Sequence, residues 1–356
     1  MNWTKIHTTS PIFASWLFFN LTHRSDRITE ECPESNGYFA VQTLWDSPSR
    51  CNWESFDGVM IFVNGESDYG SGEVPSLSYK STCLQMGVDR KHPRCHHIDV
   101  PYAVFEYVDH WKLAHYRSFP VNASMHVAYT QSNCVGFRDK FALELSLLVD
   151  VRAYGNCPKV NNHLQGISSS HRGSKGHWKT NVALLQKHGP MFSISMEHSD
   201  VHNYSTEKFL VAWFGQTVPI YFGDKGVFRF FNPGAMVLVD SSNLKSATLQ
   251  VEKIMNSRSI YSSIYEAPLL SSPSIMETVR ARILTAVMIS STNKKNRRGA
   301  KTTLAELDGL APPHAVIFEK FEGGRVALSR MRPHERKRSR ASFSNDRIID
   351  KAGSVS

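Results

Sequence analysis

Met191-Phe-Ser-Ile-Ser-Met196, Glu207-Lys-Phe-Leu-Val-Ala-Trp-Phe214 and Val218-Pro-Ile-Tyr-Phe222 decide the architecture of this chain. The first and third are short runs rich in β-branched, aromatic and small residues, the composition of strands covered on both faces. The second reads as a helix beginning near Glu207, with Gly215 as its stop. Strand, helix and strand in succession imply a parallel sheet covered by helices. Pro219 lacks an N–H for the ladder, so its strand needs an edge or another special placement.

The same alternation extends on both sides. Met125–Thr130 reads as a strand, Phe137–Leu148 as an amphipathic helix and Val149–Tyr154 as a further strand. A polar Gly/Ser/His-rich loop runs to about Lys175, followed by a helix over Trp178–Lys187 that Gly189-Pro190 ends. Residues 244 to 256 and 275 to 290 read as helices. Towards the amino terminus, Gly58-Val-Met-Ile-Phe-Val63 is a buried parallel strand by pattern. It ends in Asn64-Gly65-Glu66, at the strand end where open α/β sheets bind ligands. Residues 1 to 55 look polar and irregular, 67 to 97 read as loop, and Ile98–Phe105 reads as a short strand. A domain boundary is expected between Arg117 and Ser124.

Composition narrows the class. The 356 residues are 41% hydrophobic and 21% charged, as in a folded globular protein with a sizeable core. The formal charge of +9 is concentrated between Lys294 and Ala341, where 13 Lys/Arg face 5 Asp/Glu. A near-neutral body with a basic tail argues against a nucleic-acid recognition face. The tail reads as a solvated extension, with peripheral contact to acidic membrane surfaces as a second reading. The apolar stretch Pro11–Leu21 is shorter than the roughly 20 residues a membrane-spanning helix needs. A signal-peptide core and a buried strand or helix edge both remain open for it. Six cysteines permit disulfides, and four Asn-x-Ser/Thr triplets, at Asn2, Asn20, Asn122 and Asn203, are compatible with a secretory route. Cys83, His92, Cys95, His96, His97 and Cys134 fit no standard zinc spacing and are expected to be ordinary loop and core groups. No P-loop, G-x-G-x-x-G or G-x-S-x-G motif occurs.

In Tyr204-Ser-Thr-Glu-Lys208, Ser205 or Thr206 is placed to cap the helix, with Glu207 and Lys208 in its first turn. A helix amino end with a lysine suits a pyrophosphate, and a glutamate there suits sugar hydroxyls. Taken alone, those five residues describe a plain surface helix. Their surroundings carry more. Met191-Phe-Ser-Ile-Ser-Met-Glu-His-Ser199, Tyr204-Ser-Thr-Glu-Lys-Phe209 and Gly215-Gln-Thr-Val-Pro-Ile-Tyr-Phe-Gly223 resemble ordered blocks of the α1,3/α1,4-fucosyltransferases, glycosyltransferase family 10. Those blocks run approximately F-x-(L/I)-x-F-E-N-(S/T), Y-(V/I)-T-E-K and G-T-(V/I)-P-(V/I)-x-x-G. Phe230–Asp240 is similar to a further block. Upstream, Ser132-Asn-Cys134 with Arg138, and Val149–Cys157, are similar to S-N-C-x-x-x-R and V-D-x-Y-G-x-C. Ile61-Phe-Val-Asn-Gly-Glu66 looks like I-x-x-x-G-E, and His97–Tyr102 resembles the segment after it.

The resemblance implies a GT-B architecture, two Rossmann-like domains facing a cleft. Residues 1–122 would form a short acceptor-side domain, 123–290 the GDP-fucose-binding domain and 291–356 the basic tail. It implies inverting transfer of L-fucose from GDP-fucose to a hydroxyl of a GlcNAc-containing glycan, as an α1,3 or α1,4 linkage. No tightly bound cofactor and no metal are expected, and an oligosaccharide or glycoprotein is the expected acceptor. Glu66 becomes the candidate base, with a solvated turn glutamate as its alternative. Arg138 and Lys208 would neutralise the pyrophosphate, with ordinary surface ion pairs as theirs. Tyr204 and Glu207 would hold the nucleotide or the fucosyl group, Glu207 also countering oxocarbenium charge. Glu197 would sit in the same cleft or serve as a structural carboxylate. His198 stands where the family has Asn, which retunes the donor site. The alternative readings are another sugar nucleotide or acceptor on the same fold, and a non-catalytic sugar- or nucleotide-binding relative. Cys134 and Cys157 would bridge in an oxidising compartment. The implied location is the Golgi and secretory pathway in a eukaryote, and otherwise the cytoplasm or a membrane periphery.

Overall fold

A computed structural model describes residues 5–8, 11–18, 28–29, 38–43, 53, 56–65, 81–88, 95–110, 124–131, 134–155, 157–166 and 177–295. Glu66, Cys32, Cys51, His92, Asn2, Asn20, Asn122 and the basic tail beyond Lys295 lie outside them.

The first half is a six-stranded sheet. Its strands are β1 (Lys5–Thr8), β2 (Ile28–Thr29), β3 (Tyr38–Thr43), β4 (Val59–Asn64), β5 (Thr82–Gly87) and β6 (Cys95–His97), in the spatial order β2-β1-β3-β4-β5-β6. Every neighbouring pair is parallel. This half is therefore richer than the sequence pattern suggests, since strands occupy stretches that read as irregular or as loop. Two helices pack on it, α1 (Pro11–Phe18) and α2 (Tyr102–His110). The apolar stretch near the amino terminus is thus a core helix, with Phe13, Ala14, Leu17 and Phe18 fully buried. The strand expected over Ile98–Phe105 is instead an extended link into α2, whose Tyr102, Ala103, Val104, Phe105 and Val108 form the buried face. Cys83 and Cys95, partners in the β5–β6 register, are joined by a disulfide.

The second half follows the sequence pattern closely. Strands β7 (Ser124–Gln131), β8 (Val151–Gly155), β9 (Gln165–Gly166), β10 (Pro190–Met196), β11 (Val218–Phe222) and β12 (Val237–Leu238) form a second all-parallel sheet. Its order is β12-β11-β10-β7-β8-β9. Counting from β7, this is the 3-2-1-4-5-6 arrangement, whose order reverses between β7 and β10 and opens a crevice at their carboxyl ends. The helices are α3 (Gly136–Ser146), α4 (Pro158–Asn161), α5 (His177–His188), α6 (Lys208–Phe214), α7 (Leu244–Met255) and α8 (Arg258–Glu266). All seven β10 residues are buried, as expected of a central strand covered on both faces. Pro219 finds its special placement because β12 pairs with β11 only from Ile220 onwards.

A long helix, α9 (Ile275–Lys295), returns from the second half to the first. Its Ile283 and Val287 join the same core as β4 and β5 residues. Arg280 Nε donates to the carbonyl of Leu17 at 3.1 Å, closing the end of α1. Among the described residues, no helix is long and apolar enough to cross a membrane.

Candidate donor site at the carboxyl ends of β7 and β10

Glu197 follows the last residue of β10 and has no solvent exposure. A carboxylate in that position must be paired. Its Oε1 accepts from the Thr206 amide at 2.7 Å and from the Thr206 hydroxyl at 2.8 Å. Its Oε2 accepts from Lys208 Nζ at 2.9 Å, and Nζ also lies 2.8 Å from Thr206 Oγ1. Burial works against the Lys208 ammonium, but Glu197 and then Glu207 outweigh it and hold the lysine above its ordinary range. The result is a fixed cation at the start of α6.

Arg138 reaches the same place from the first turn of α3, the helix that follows β7. Its Nη1 donates 3.2 Å to the carbonyl of Met196, the residue before Glu197. Its Nε is buried without a hydrogen-bond partner among the described residues. A buried donor of that kind calls for an acceptor. Two cations and one buried carboxylate therefore meet at the strand ends flanking the switch point.

The loop between β10 and α6 is pinned internally. Tyr204 is buried, and its hydroxyl lies 2.6 Å from His198 Nδ1. Asn203 adopts φ +61°, a left-handed conformation that asparagine tolerates better than most residues. Its amide donates to Asp224 Oδ2 at 2.7 Å. The Ser205 hydroxyl accepts from Tyr221 at 3.1 Å. The expected side-chain cap by Ser205 or Thr206 does not form. Glu207 is the N-cap residue of α6 with no capping side chain, because both hydroxyls are committed elsewhere. Glu207 stands at the rim, 39% exposed, its carboxylate 3.9 Å from Lys208.

The structure thus brings Arg138, Glu197, His198, Tyr204, Glu207 and Lys208 to one loop and one strand end. It adds Thr206, which joins Glu197 to Lys208, and Asp224, which holds Asn203. Asn203 is fully buried, so its Asn-Tyr-Ser triplet is closed to glycosylation in the folded chain. Cys134 and Cys157, beside α3 and α4, are joined in a disulfide. Asp139 stands beside them, but a disulfide sulfur is not the thiolate that a metal requires.

Close packing fixes this site. A methyl group at Gly223 would lie 2.5 Å from the Tyr221 hydroxyl and 3.0 Å from Glu197 Cγ. Both neighbours are buried, so Gly223→Ala is expected to cost about 1–3 kcal/mol through overpacking. A lower urea midpoint would show it, and an unchanged midpoint would show that the Tyr221–Glu197 contact yields freely.

Residues 122–266 match the sequence model of glycosyltransferase family 10 (fucosyltransferase), C-terminal domain. This part of the chain is similar to a family 10 glycosyltransferase domain. An α-(1,4)-fucosyltransferase of Arabidopsis thaliana is 26% identical over 125 residues, covering 33% of this chain and 30% of the plant protein. An α-(1,3)-fucosyltransferase of Helicobacter pylori is 34% identical over 80 residues, 22% of this chain and 17% of the bacterial protein. The matched segments thus span less than a third of either relative. Crystal structures of an α1,3-fucosyltransferase superpose more widely. One aligns with TM-score 0.52 at 14% identity, covering 80% of this chain and 90% of that chain. A crystal structure of an α1,3-fucosyltransferase with GDP-fucose aligns with TM-score 0.50 at 16% identity and the same coverage. At such identities the likeness establishes the fold, which is GT-B: two parallel-sheet domains around a cleft.

Proposed function

We propose that this chain is an inverting fucosyltransferase that moves L-fucose from GDP-fucose to a hydroxyl of a GlcNAc-containing glycan, forming an α1,3 or α1,4 bond. The observation that carries the reading is the convergence of Arg138 and Lys208 on the switch-point crevice of a domain similar to family 10. In the reaction, the acceptor oxygen bonds to the fucosyl anomeric carbon while the bond from that carbon to the phosphate oxygen breaks. GDP leaves with the electron pair, and the acceptor proton passes to a carboxylate. Arg138, with its buried Nε, and Lys208, held by Glu197 and Thr206, would stabilise the departing charge. With two cations available there, the step needs no metal.

The first half, up to residue 122, would present the acceptor, and residues 123–290 the donor. Glu66 is the proposed base, one residue beyond Gly65 at the end of β4. Glu207, at the rim of the donor loop, would face the fucosyl group. Tyr204 would act through His198, since its ring is buried and its hydroxyl is engaged. In a eukaryote this chemistry belongs to the Golgi lumen, an oxidising compartment in which the bridges Cys83–Cys95 and Cys134–Cys157 persist.

Glu66→Gln is expected to bind GDP within about twofold of the parent while transfer falls by about 10²–10⁴, the usual worth of a general base. Parallel measurement of GDP affinity and of transfer to a glycan panel tests this. Transfer at the parental rate would remove Glu66 from the mechanism. A second reading keeps the site and changes the donor sugar. It is favoured by His198, whose ring engages Tyr204 where the family motif carries Asn. Tighter binding of GDP-mannose than of GDP-fucose would select it.

A further inference from the structure

Asp99 belongs to the first half, yet its carboxylate is spent on the second. It lies between β6 and α2, on a segment with little freedom. The Ile98 amide donates to Gln85 of β5 at 2.7 Å, and the Val100 carbonyl accepts from the Gly87 amide at 2.8 Å. Gly87 is in turn the β5 register partner of Asn64, the last residue of β4. Asp99 is therefore fixed to the same sheet edge from which the β4 turn departs.

Across the cleft, Asp99 accepts hydrogen bonds from three residues of the donor half. Asn203 Nδ2 lies at 2.9 Å and His202 Nε2 at 3.1 Å. The Arg229 guanidinium grips the carboxylate with both terminal nitrogens, Nη2 at 2.8 Å and Nη1 closer still. Bidentate pairs of this kind fix orientation as well as distance. Arg229 Nε also donates to the Gly226 carbonyl at 3.1 Å, and Asp224 receives both the Asn203 and the Gly226 amides. His202 lies between the two carboxylates, its Nδ1 3.7 Å from Asp224. One acidic side chain thus ties a rigid edge of the first sheet to both loops that frame the donor site. Arg229 holds the Asp99 carboxyl well below the usual carboxylate range, with Asn203 and His202 adding to the effect against burial.

We infer that Asp99 is a positioning residue that aligns the two halves for transfer, acting through Arg229 and Asn203 and touching no substrate. The inference rests on the fucosyltransferase reading for its kinetic consequence and on the contacts alone for its structural one. The donor loop keeps its own anchors, Glu197 to Thr206 and Asp224 to Asn203, when Asp99 is lost. GDP affinity is therefore retained while the alignment of base and donor is not. A misplacement of about 1 Å can cost on the order of a hundredfold in rate.

The test compares the parent chain with Asp99→Ala, Arg229→Ala and the double variant. Each single variant is expected to lower kcat by about 10- to 100-fold. GDP affinity should stay within about threefold, and the double variant should lie within about twofold of the worse single, because the two residues form one device. Hydrogen exchange of the ligand-free proteins should quicken together in segments 98–100 and 202–206. Parental kcat in a folded variant would overturn the inference. So would additive losses, or a loss of GDP affinity parallel to the loss of rate. Unaltered exchange in Asp99→Ala would overturn it even if the chain transferred no fucose. Absence of GDP binding by the parent would instead count against the fucosyltransferase reading.

Discussion

Lys208→Ala is expected to lower stability by about 3 kcal/mol and to weaken GDP binding at least tenfold. Glu197 is fully buried, and Lys208 is its charged partner at 2.9 Å. Removing one member of a buried pair leaves the other desolvated and uncompensated, typically at a cost of about 3–5 kcal/mol. The lower end applies because the Lys208 side chain keeps 28% exposure. Thr206 alone would then face the carboxylate, and the loop carrying His198 and Tyr204 would loosen with it. The double variant Glu197→Gln/Lys208→Met removes both charges and is expected to recover most of the stability without recovering GDP affinity. Urea unfolding and calorimetry on the same samples separate the two roles. Parental stability in Lys208→Ala would show that Glu197 does not depend on the lysine.

Acid is expected to destabilise the second half through His126. This residue of β7 has no exposed surface, and its Nε2 lies 3.1 Å from the Tyr154 hydroxyl. Its Nδ1 is buried, and beyond a weak interaction with the Ser124 backbone, which opposes the downward shift of the imidazole, it meets no acceptor of good geometry among the described residues. Burial first, and then the nearby Arg152 charge, push the imidazole down to about 4, against the opposing pull of Asp150. The folded chain therefore keeps His126 neutral where the unfolded chain protonates it. Stability from this group is complete above the unfolded value of about 6.5, falls as pH drops towards 4, and is level below that. A shift of that size corresponds to about 3 kcal/mol over the window. Urea midpoints between pH 7.5 and 4.5 should fall for the parent and fall less steeply for His126→Gln. Equal slopes would mean that His126 takes its proton in the folded state as readily as in the unfolded one.

The second sheet was legible in β7, β8, β10 and β11, largely apolar runs flanked by helices, whereas β9 and β12, two residues each, carry no strand pattern and β9 lies in the stretch that reads as loop. Met191–Met196 followed by Glu197, and the helix from Lys208 to Phe214, carry the site within one local pattern. The first sheet was harder to read for physical reasons. Strands such as Tyr38–Thr43 and Thr82–Gly87 include Gln42, Thr43 and Gln85, which blur the apolar run, and β1, β2 and β6 are four residues or fewer. The run Ile98–Phe105 mixes β-branched and aromatic residues and so imitates a strand, although its second part turns into α2 behind Pro101. Cys83 and Cys95 match no metal spacing because parallel register, and not local sequence, brings them together. Asp99 gave no signal at all. Its partners Asn203 and Arg229 are 104 and 130 positions away, and only the facing of the two sheets unites them. Thr206 was visible as a helix cap, yet a buried carboxylate nine positions earlier competes for the same hydroxyl and wins.

The crevice between β7 and β10 as a GDP-fucose site is tested most directly by calorimetric titration of the donor into the parent chain and into Arg138→Ala. The geometry predicts saturable binding by the parent and at least a tenfold weaker affinity in the variant, because Arg138 places at the strand ends a buried guanidinium nitrogen that has no partner among the described residues. Equal affinities in the two proteins, or no binding by a folded parent, would contradict the assignment.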